Sequence, residues 1–420
     1  MNKATDSKPL HSLMATAMAG VPGNDGIKRS LHAIRAYLGM DIAYVSEFVG
    51  DRIVLRQVDA PGLDAVIKVG DSRCIDDVYC GHILEGRLPQ LIPHTASEPV
   101  AMAMPITREA PIGKYISVPI RLADGKVHGM FCCFGFKADD SLGQRDLEMM
   151  QVFADLAAFE IDNDLKAAAV VKEKEDRIRS VIDSRQISIV YQPIWKLGDP
   201  RPVGFECLAR FTATPQRTPD KWFAEAGETG LSTELELTAI RLALGAAKAL
   251  PPDIYLAVNA SPQTFLSEEL ADALSGIPPQ QIVLEITEHA HIGNYDDLRA
   301  ALSPLRARGV RLAVDDAGAG YCTLRHILQL QPDLIKLDMS LTRNINLDPA
   351  RRALASALVV FARDTGSCII AEGVETASEL NILQSIGVQK AQGFFLGRPL
   401  SFVDAVKLCV PEPPKVNRVA

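Results

Sequence analysis

The 420 residues contain no uncharged apolar stretch of the roughly 20 residues needed to span a bilayer. The opening residues, MNKATDSKPLHSLMATAMAGVPG, lack an apolar core long enough for a secretory signal. Lys/Arg-rich runs are also missing, and a net charge of -8 argues against a surface for nucleic-acid polymer. Neither a membrane nor a nucleic-acid polymer is therefore an expected partner, and the expected location is cytoplasmic. A small anionic substrate would need a local source of positive charge, from metal ions or a few placed basic residues. The eight cysteines are thinly spread, several inside apolar runs such as MFCCFGF, which reads as buried thiols and not as a disulfide framework.

What is present is ordinary for a soluble globular chain, with 47% hydrophobic and 23% charged residues and length enough for two domains. In the first half, DIAYVSEF and DRIVLRQV flank Val49 and Gly50 as one hairpin. YISVPIRL and KVHGMFCCFGF flank Ala123, Asp124 and Gly125 as a second, with a strong Asp-Gly turn signal. Helical patterns precede and follow these strands, so the class is α+β. With VYCGHILEGRLPQLIP between the hairpins, the order resembles the GAF sensory domain, placed at residues 1–160. The resemblance implies an unknown small ligand or protein partner. Cys80 and His82 lack further ligands and read as ordinary core residues. Continuous helix is expected from about Phe153 to Ser184, with residues 161–182 as a linker. Its apolar repeat fails across Lys172 to Arg177, which leaves a movement-transmitting helix and a passive spacer as alternatives to a long coiled coil.

After Arg185, apolar strands alternate with helical stretches, the signature of a parallel sheet. Eight candidate strands, ISIVYQPI, VGFECLARF, IYLAVNAS, IVLEIT, VRLAVDD, LIKLD, CIIAEGVE and AQGFFLG, fit an α/β (β/α)8 barrel. Side chains alternate faces along a strand. Ile282, Leu284 and Ile286 then point outward while Val283 and Glu285 point in; Ala257 and Asn259 point in, as do Lys336 and Asp338. Glu372 shares a face with Ile370, and Glu206 with Gly204 and Arg210. Strand after strand thus delivers a polar group near its carboxyl end, where barrel active sites sit. The stretch AVDDAGAG adds Asp315 and Asp316. Converging acids repel one another unless cations neutralise them, and oxygen ligands in this number suit Mg²⁺ or Mn²⁺. Adjacent acids can serve two ions, one each or one bridging, and paired ions suit phosphodiester cleavage. Lys336 offers a fixed charge for a phosphate oxygen or an attacking hydroxide.

ECLAR, VNAS, LEITE, VDDAGAGY, LIKLD, AEGVE and QGFFLGRP resemble the EAL domain, the bacterial cyclic di-GMP phosphodiesterase, with the barrel placed at residues 183–410. The resemblance implies a barrel whose first strand runs antiparallel, often a homodimer, converting cyclic di-GMP to linear pGpG with two Mg²⁺ or Mn²⁺ ions. It implies Glu206, Asn259, Glu285, Asp315, Asp316 and Glu372 as metal ligands. Lys336 matches the residue that orients the nucleophilic water and Gln392 one that helps position it, so Glu206, Asp316, Lys336 and Gln392 form the implied catalytic set. Gln192 and Arg210 resemble substrate contacts, and Glu288 the residue that anchors the following loop. Two departures stand out: Cys207 occupies the middle of the signature, and Ala317 follows the Asp pair where the family usually has phenylalanine. Cys207 is expected to face the helices; Ala317 bears on loop ordering and regulation. An inactive cyclic di-GMP receptor is the alternative, but such receptors have typically lost one of these acids and here all remain. His289 and His291 read as loop residues, Trp195 and Trp222 as barrel packing, and 411–420 as a disordered tail.

Overall fold

The computed structural model describes residues 24–286, 292–318 and 322–409. The chain divides into two compact units, Met1–Val170 and Val171–Ala420. Among the described residues no helix is long and apolar enough to cross a membrane.

In the first unit, β1 (Ile42–Val49), β2 (Arg52–Asp59), β3 (Ser72–Cys74), β4 (Leu91–Ile92), β5 (Lys114–Arg121) and β6 (Val127–Gly135) form one antiparallel sheet in the order β3-β2-β1-β6-β5-β4. Gly50 and Gly125 stand at φ 64° and 82° in the two hairpin turns, a backbone region glycine enters without steric cost. Strand alternation divides the apolar side chains between two cores. Val45, Ile116, Val118, Phe131 and Cys133 pack with helix Asn24–Tyr37 and with Met150, Phe153 and Ala157. On the opposite face Tyr44, Tyr115, Cys132 and Phe134 meet Tyr79, Cys80 and Ile83 of the short helix Tyr79–Leu84. That face also borders a cavity of about 710 Å³.

Helix Gln144–Asp183 begins nine residues before the expected Phe153, because Met149 and Met150 continue its buried stripe. Where the apolar pattern lapses, ion pairs one turn apart take its place: Lys172 with Asp176 at 3.3 Å and Arg179 with Glu175 at 3.0 Å. Its last turns regain apolar contacts, with Ile178 and Val181 against Trp222 and Leu235.

The second unit is a closed barrel of eight strands: β7 (Ile187–Lys196), β8 (Pro202–Phe211), β9 (Tyr255–Asn259), β10 (Ile282–Ile286), β11 (Arg311–Ala317), β12 (Leu334–Leu337), β13 (Cys368–Ala371) and β14 (Lys390–Ala391). β7 runs antiparallel to both neighbours, β8 and β14; the other pairs are parallel. Connection length explains the exception. Residues 197–201 are enough for a hairpin, whereas a parallel return needs a dozen or more. Ile194, Tyr255, Ala257, Val283, Ala313, Leu334 and Ile370 fill the interior, and Leu256, Val258, Leu284, Leu312, Ile335 and Leu337 pack outward, as alternation required.

The eighth strand departs from expectation. AQGFFLG contributes only Ala391 to the ladder, preceded by Lys390. A Cβ on Gly393 would lie 2.2 Å from the backbone of Val374, and the chain folds back there through Phe395 N–H to Val374 O at 3.0 Å. Phe394 and Phe395 are left about half exposed. Trp222, by contrast, is fully buried and stacks on Phe211 at 5.4 Å between centroids, so it is packing as expected.

Both tryptophans of the chain lie in this unit, so selectively excited tryptophan fluorescence follows the barrel alone. Phe205 is fully buried against Tyr191. Phe205→Ala is expected to lower barrel stability by about 3–5 kcal/mol in urea titrations read by that fluorescence. An unchanged midpoint would contradict the packing described.

Candidate active site at the barrel mouth

Glu206, Glu285, Asp315 and Glu372 come from β8, β10, β11 and the residue after β13, and all reach one ammonium group. Lys336 Nζ lies 2.9 Å from Glu285 and Glu372, 3.2 Å from Asp315 and 3.4 Å from Glu206. Lys336 and Glu285 are fully buried; the other three carboxylates keep 10–15% of their side-chain surface. Burial alone would lower the Lys336 pKa, but the surrounding acids together hold it well above its usual value. Burial pushes the Glu285 carboxyl up to about 8, with Lys336 pulling down and Glu206 and Asp315 pushing further up.

Adjacent residues of a regular strand point to opposite faces, so Asp315 and Asp316 should diverge. A bulge resolves this. Val314 pairs with Ile335 and Ala317 with Leu337, so β11 carries one extra residue, and Asp316 stands at φ 55°. Two carboxylate trios result, Glu206–Glu285–Asp315 and Asp315–Asp316–Glu372, each with one oxygen per residue within 4.8 Å of the others. Asp315 belongs to both. Four acids touch the lysine and Asp316 joins through the second trio, so five acids and one lysine leave four formal negative charges when all are ionised.

Several groups hold these acids in place. Gln392 Nε2 donates to Glu206 and Glu372, each at 2.7 Å, while its own N–H continues the ladder to Ala371 O at 2.8 Å. The Thr342 hydroxyl donates to the Glu372 carbonyl. Two supports went unread in the sequence. Glu379 accepts from the N–H groups of Glu375 and Thr376 at 2.9 Å and of Asn344 at 2.8 Å, bracing the chain after Glu372. Its signal was present, since Thr376 and Glu379 form a capping box. Glu236 accepts from Ser261 N–H at 2.8 Å, two residues beyond Asn259, and no local pattern marks it.

The remaining expected residues fall as follows. Asn259 is solvent-exposed at the end of β9, in register with Glu285. Gln192 pairs across the hairpin with Glu206 and is half-buried. Arg210 is half-buried two pleats on from Glu206, with Nη1 on the Ala209 carbonyl at 2.8 Å. Cys207 is buried with the outward core. Glu288, His289 and His291 lie outside the described residues, as does the tail. Asp338 was expected to point inward beside Lys336; instead it caps helix Met339–Thr342, accepting from Ser340 N–H at 2.9 Å, because the chain has left the strand by then.

The donor set fits a divalent cation on an observation independent of resemblance. Glu285 Oε1 is buried with no hydrogen-bond partner, which a buried polar oxygen rarely tolerates. A hard cation is the partner that all-oxygen trios of this kind accept.

Residues 175–399 match the EAL domain model and residues 25–161 the GAF domain model. An uncharacterized protein of Sinorhizobium fredii is 31% identical over 257 residues, 59% of this chain and 31% of the relative. MucR of Pseudomonas aeruginosa, described as a bifunctional diguanylate cyclase/cyclic di-GMP phosphodiesterase, is 30% identical over 239 residues, 53% of this chain and 34% of MucR. A solved structure described as PaMucR phosphodiesterase in complex with c-di-GMP is 29% identical with a TM-score of 0.50, covering 55% of this chain and 98% of that one. The chain thus spans about a third of the length of these curated relatives.

Removing the single interior cation should expose the cost of the cluster. In metal-free buffer at neutral pH, Lys336→Met is expected to lower barrel stability by about 3–5 kcal/mol, read by tryptophan fluorescence in urea. A variant as stable as the parent would show that Lys336 is not the counter-charge that holds the acids.

Proposed function

Because the chain belongs to the EAL domain family, we propose that its barrel hydrolyses cyclic di-GMP to linear pGpG. The carrying observation is the convergence of four carboxylates on Lys336, with Asp316 grouped beside Asp315 and Glu372, at the carboxyl ends of the strands. The description of MucR as a cyclic di-GMP phosphodiesterase supports the choice of substrate.

In this reading Glu206, Asn259, Glu285, Asp315, Asp316 and Glu372 hold two Mg²⁺ or Mn²⁺ ions. When bound, such ions lower the pKa of water and stabilise both the attacking and leaving oxygens of a displacement at phosphorus. The protein's own contribution is orientation and charge. Lys336 directs its N–H groups to the point where the acids meet and orients the attacking water, with Gln392 fixing Glu206 and Glu372 around it. Oxygen from water bonds to phosphorus, the bond to the ribose 3′ oxygen breaks, and a proton passes to that oxygen. Gln192 and Arg210 bind the dinucleotide; the planar fork of Arg210 suits a phosphate. Glu288, outside the described residues, keeps the loop-anchoring role that the resemblance implies. The GAF unit, with the domain bounds expected above, regulates the barrel in a cytoplasmic homodimer.

The test is direct. Purified full chain is incubated with cyclic di-GMP and Mg²⁺ or Mn²⁺, and pGpG is quantified chromatographically. Glu206→Gln is expected to reduce turnover on the order of 100-fold or more, and Gln392→Ala roughly 10–100-fold. Tight binding without turnover in either metal would favour a receptor, and unchanged turnover in Glu206→Gln would sink the site assignment.

A further inference from the structure

Two thiols meet in the first unit. Cys80, on helix Tyr79–Leu84, and Cys132, on β6, have their sulfurs 3.5 Å apart, and both side chains are fully buried. Antiparallel pairing sets the surroundings: Cys132 lies directly opposite Tyr44 on β1 and opposite Ser117 on β5. Hydroxyl groups therefore ring the sulfurs. Tyr115 OH stands 3.2 Å and Tyr44 OH 3.6 Å from Cys80 Sγ, Ser117 Oγ is 3.0 Å from Cys132 Sγ, and the two tyrosine oxygens are 3.1 Å from each other.

The next residue provides an internal contrast. Cys133 points to the opposite face of the sheet, into an apolar core, where Met150 Sδ at 3.7 Å is its sulfur neighbour. Burial pushes its thiol far up, as for an inert structural cysteine. At Cys80 the hydrogen bond from Cys132 leads, burial opposes it, and Tyr115 and Tyr44 add to it, holding the thiol down to about 7. Burial pushes Cys132 up, and its hydrogen bond to Cys80 pushes it further. One sulfur is thus set to attack as thiolate while its neighbour keeps the proton.

Access comes from the cavity of about 710 Å³, whose walls include Tyr44, Val78, Tyr79 and Tyr115. Val78 and Tyr79 immediately precede Cys80 in sequence, and the two other tyrosines carry the hydroxyls that touch its sulfur. Neither cysteine lines the cavity itself, but Tyr44 and Tyr115 border it and also touch Cys80 Sγ.

We propose that Cys80 and Cys132 are an oxidisable dithiol that a small hydroperoxide, entering through this cavity, converts to an intramolecular disulfide. The Cys80 thiolate attacks one peroxide oxygen; the O–O bond breaks, and the departing oxygen leaves as water or alcohol after taking a proton. Cys80 is then a sulfenic acid. The Cys132 sulfur attacks the Cys80 sulfur, the S–O bond breaks, and the hydroxyl leaves as water with the Cys132 proton. Two thiols lose two electrons and the peroxide bond gains them. Either a dithiol reductant or a thiol exchange reaction restores the pair. Nothing in this chemistry depends on the barrel or its substrate.

The full chain is reduced, freed of reductant, treated with hydrogen peroxide, alkylated and digested without reduction for mass spectrometry. The expected product is a linked peptide pair containing Cys80 and Cys132, with the denatured thiol count falling from eight to six and returning with dithiothreitol. Cys80→Ser and Cys132→Ser each abolish the link, and Cys74→Ser leaves it. Tyr115→Phe, which keeps the ring and removes the hydroxyl, is expected to slow thiol loss roughly tenfold. A count that stays at eight overturns the proposal. So does a disulfide that pairs other cysteines, or a Cys80 over-oxidised with Cys132 still reduced.

Discussion

A single buried ammonium carries the centre of the barrel. An isolated charge at the position of Lys336 would be untenable in so dry a place, and so would any of the carboxylates around it. Their mutual proximity makes each acceptable, and that proximity exists only when β8, β10, β11, β12 and β13 are in register. A slip of one residue in a strand would turn its charged side chain outward into an apolar layer. The electrostatics therefore specify the barrel's register as much as the hydrophobic layers do. Yet the balance is incomplete, since one lysine cannot neutralise five acids. The fold keeps a surplus of carboxylate oxygen at its mouth, and one buried oxygen, Glu285 Oε1, is left without a hydrogen-bond partner.

Much of this was readable from alternation alone. Glu285 is flanked by outward Leu284 and Ile286, and Lys336 by outward Ile335 and Leu337, so the inward positions followed from a period of two. The antiparallel first strand is explained by the short connection to the second. What escaped were features decided by tertiary contact. β14 is only Lys390–Ala391 because the chain must pass the Val374 backbone at Gly393, and nothing local to AQGFFLG announces that neighbour. Asp338 looked like another inward acid, but a residue at the boundary of strand and helix obeys capping and not alternation. Glu236 supports the β9 end from a helix 25 residues away, a link no spacing rule encodes.

The first unit uses the same two-residue period for a different purpose. Cys132 and Cys133 are chemically identical neighbours, yet the sheet sends one among hydroxyls and the other beside a thioether. Composition would count both as buried thiols, and both are buried. Their difference lies wholly in which face each meets. The sequence could flag Cys80 but not its partner, because the strand pairing and the docked helix bring residues 52 positions apart into contact.

The bulge in β11 ties the local backbone to the chemistry at the mouth. A regular strand could aim only one of two consecutive aspartates at the barrel axis. The extra residue rotates the second into reach, at the expense of placing Asp316 at φ 55°. Short polar side chains tolerate that region better than branched or bulky ones do, so aspartate is suited to the position both as a ligand and as a backbone. Ala317 then restores the pairing with Leu337, and its small side chain is fully buried in the outward apolar layer. A change at 317 would therefore act on how the bulge is packed from behind, while the carboxylates of Asp315 and Asp316 face the other way. The departure from the family pattern at this residue lies on the packing side of the strand, and the acid pair stands complete beside it.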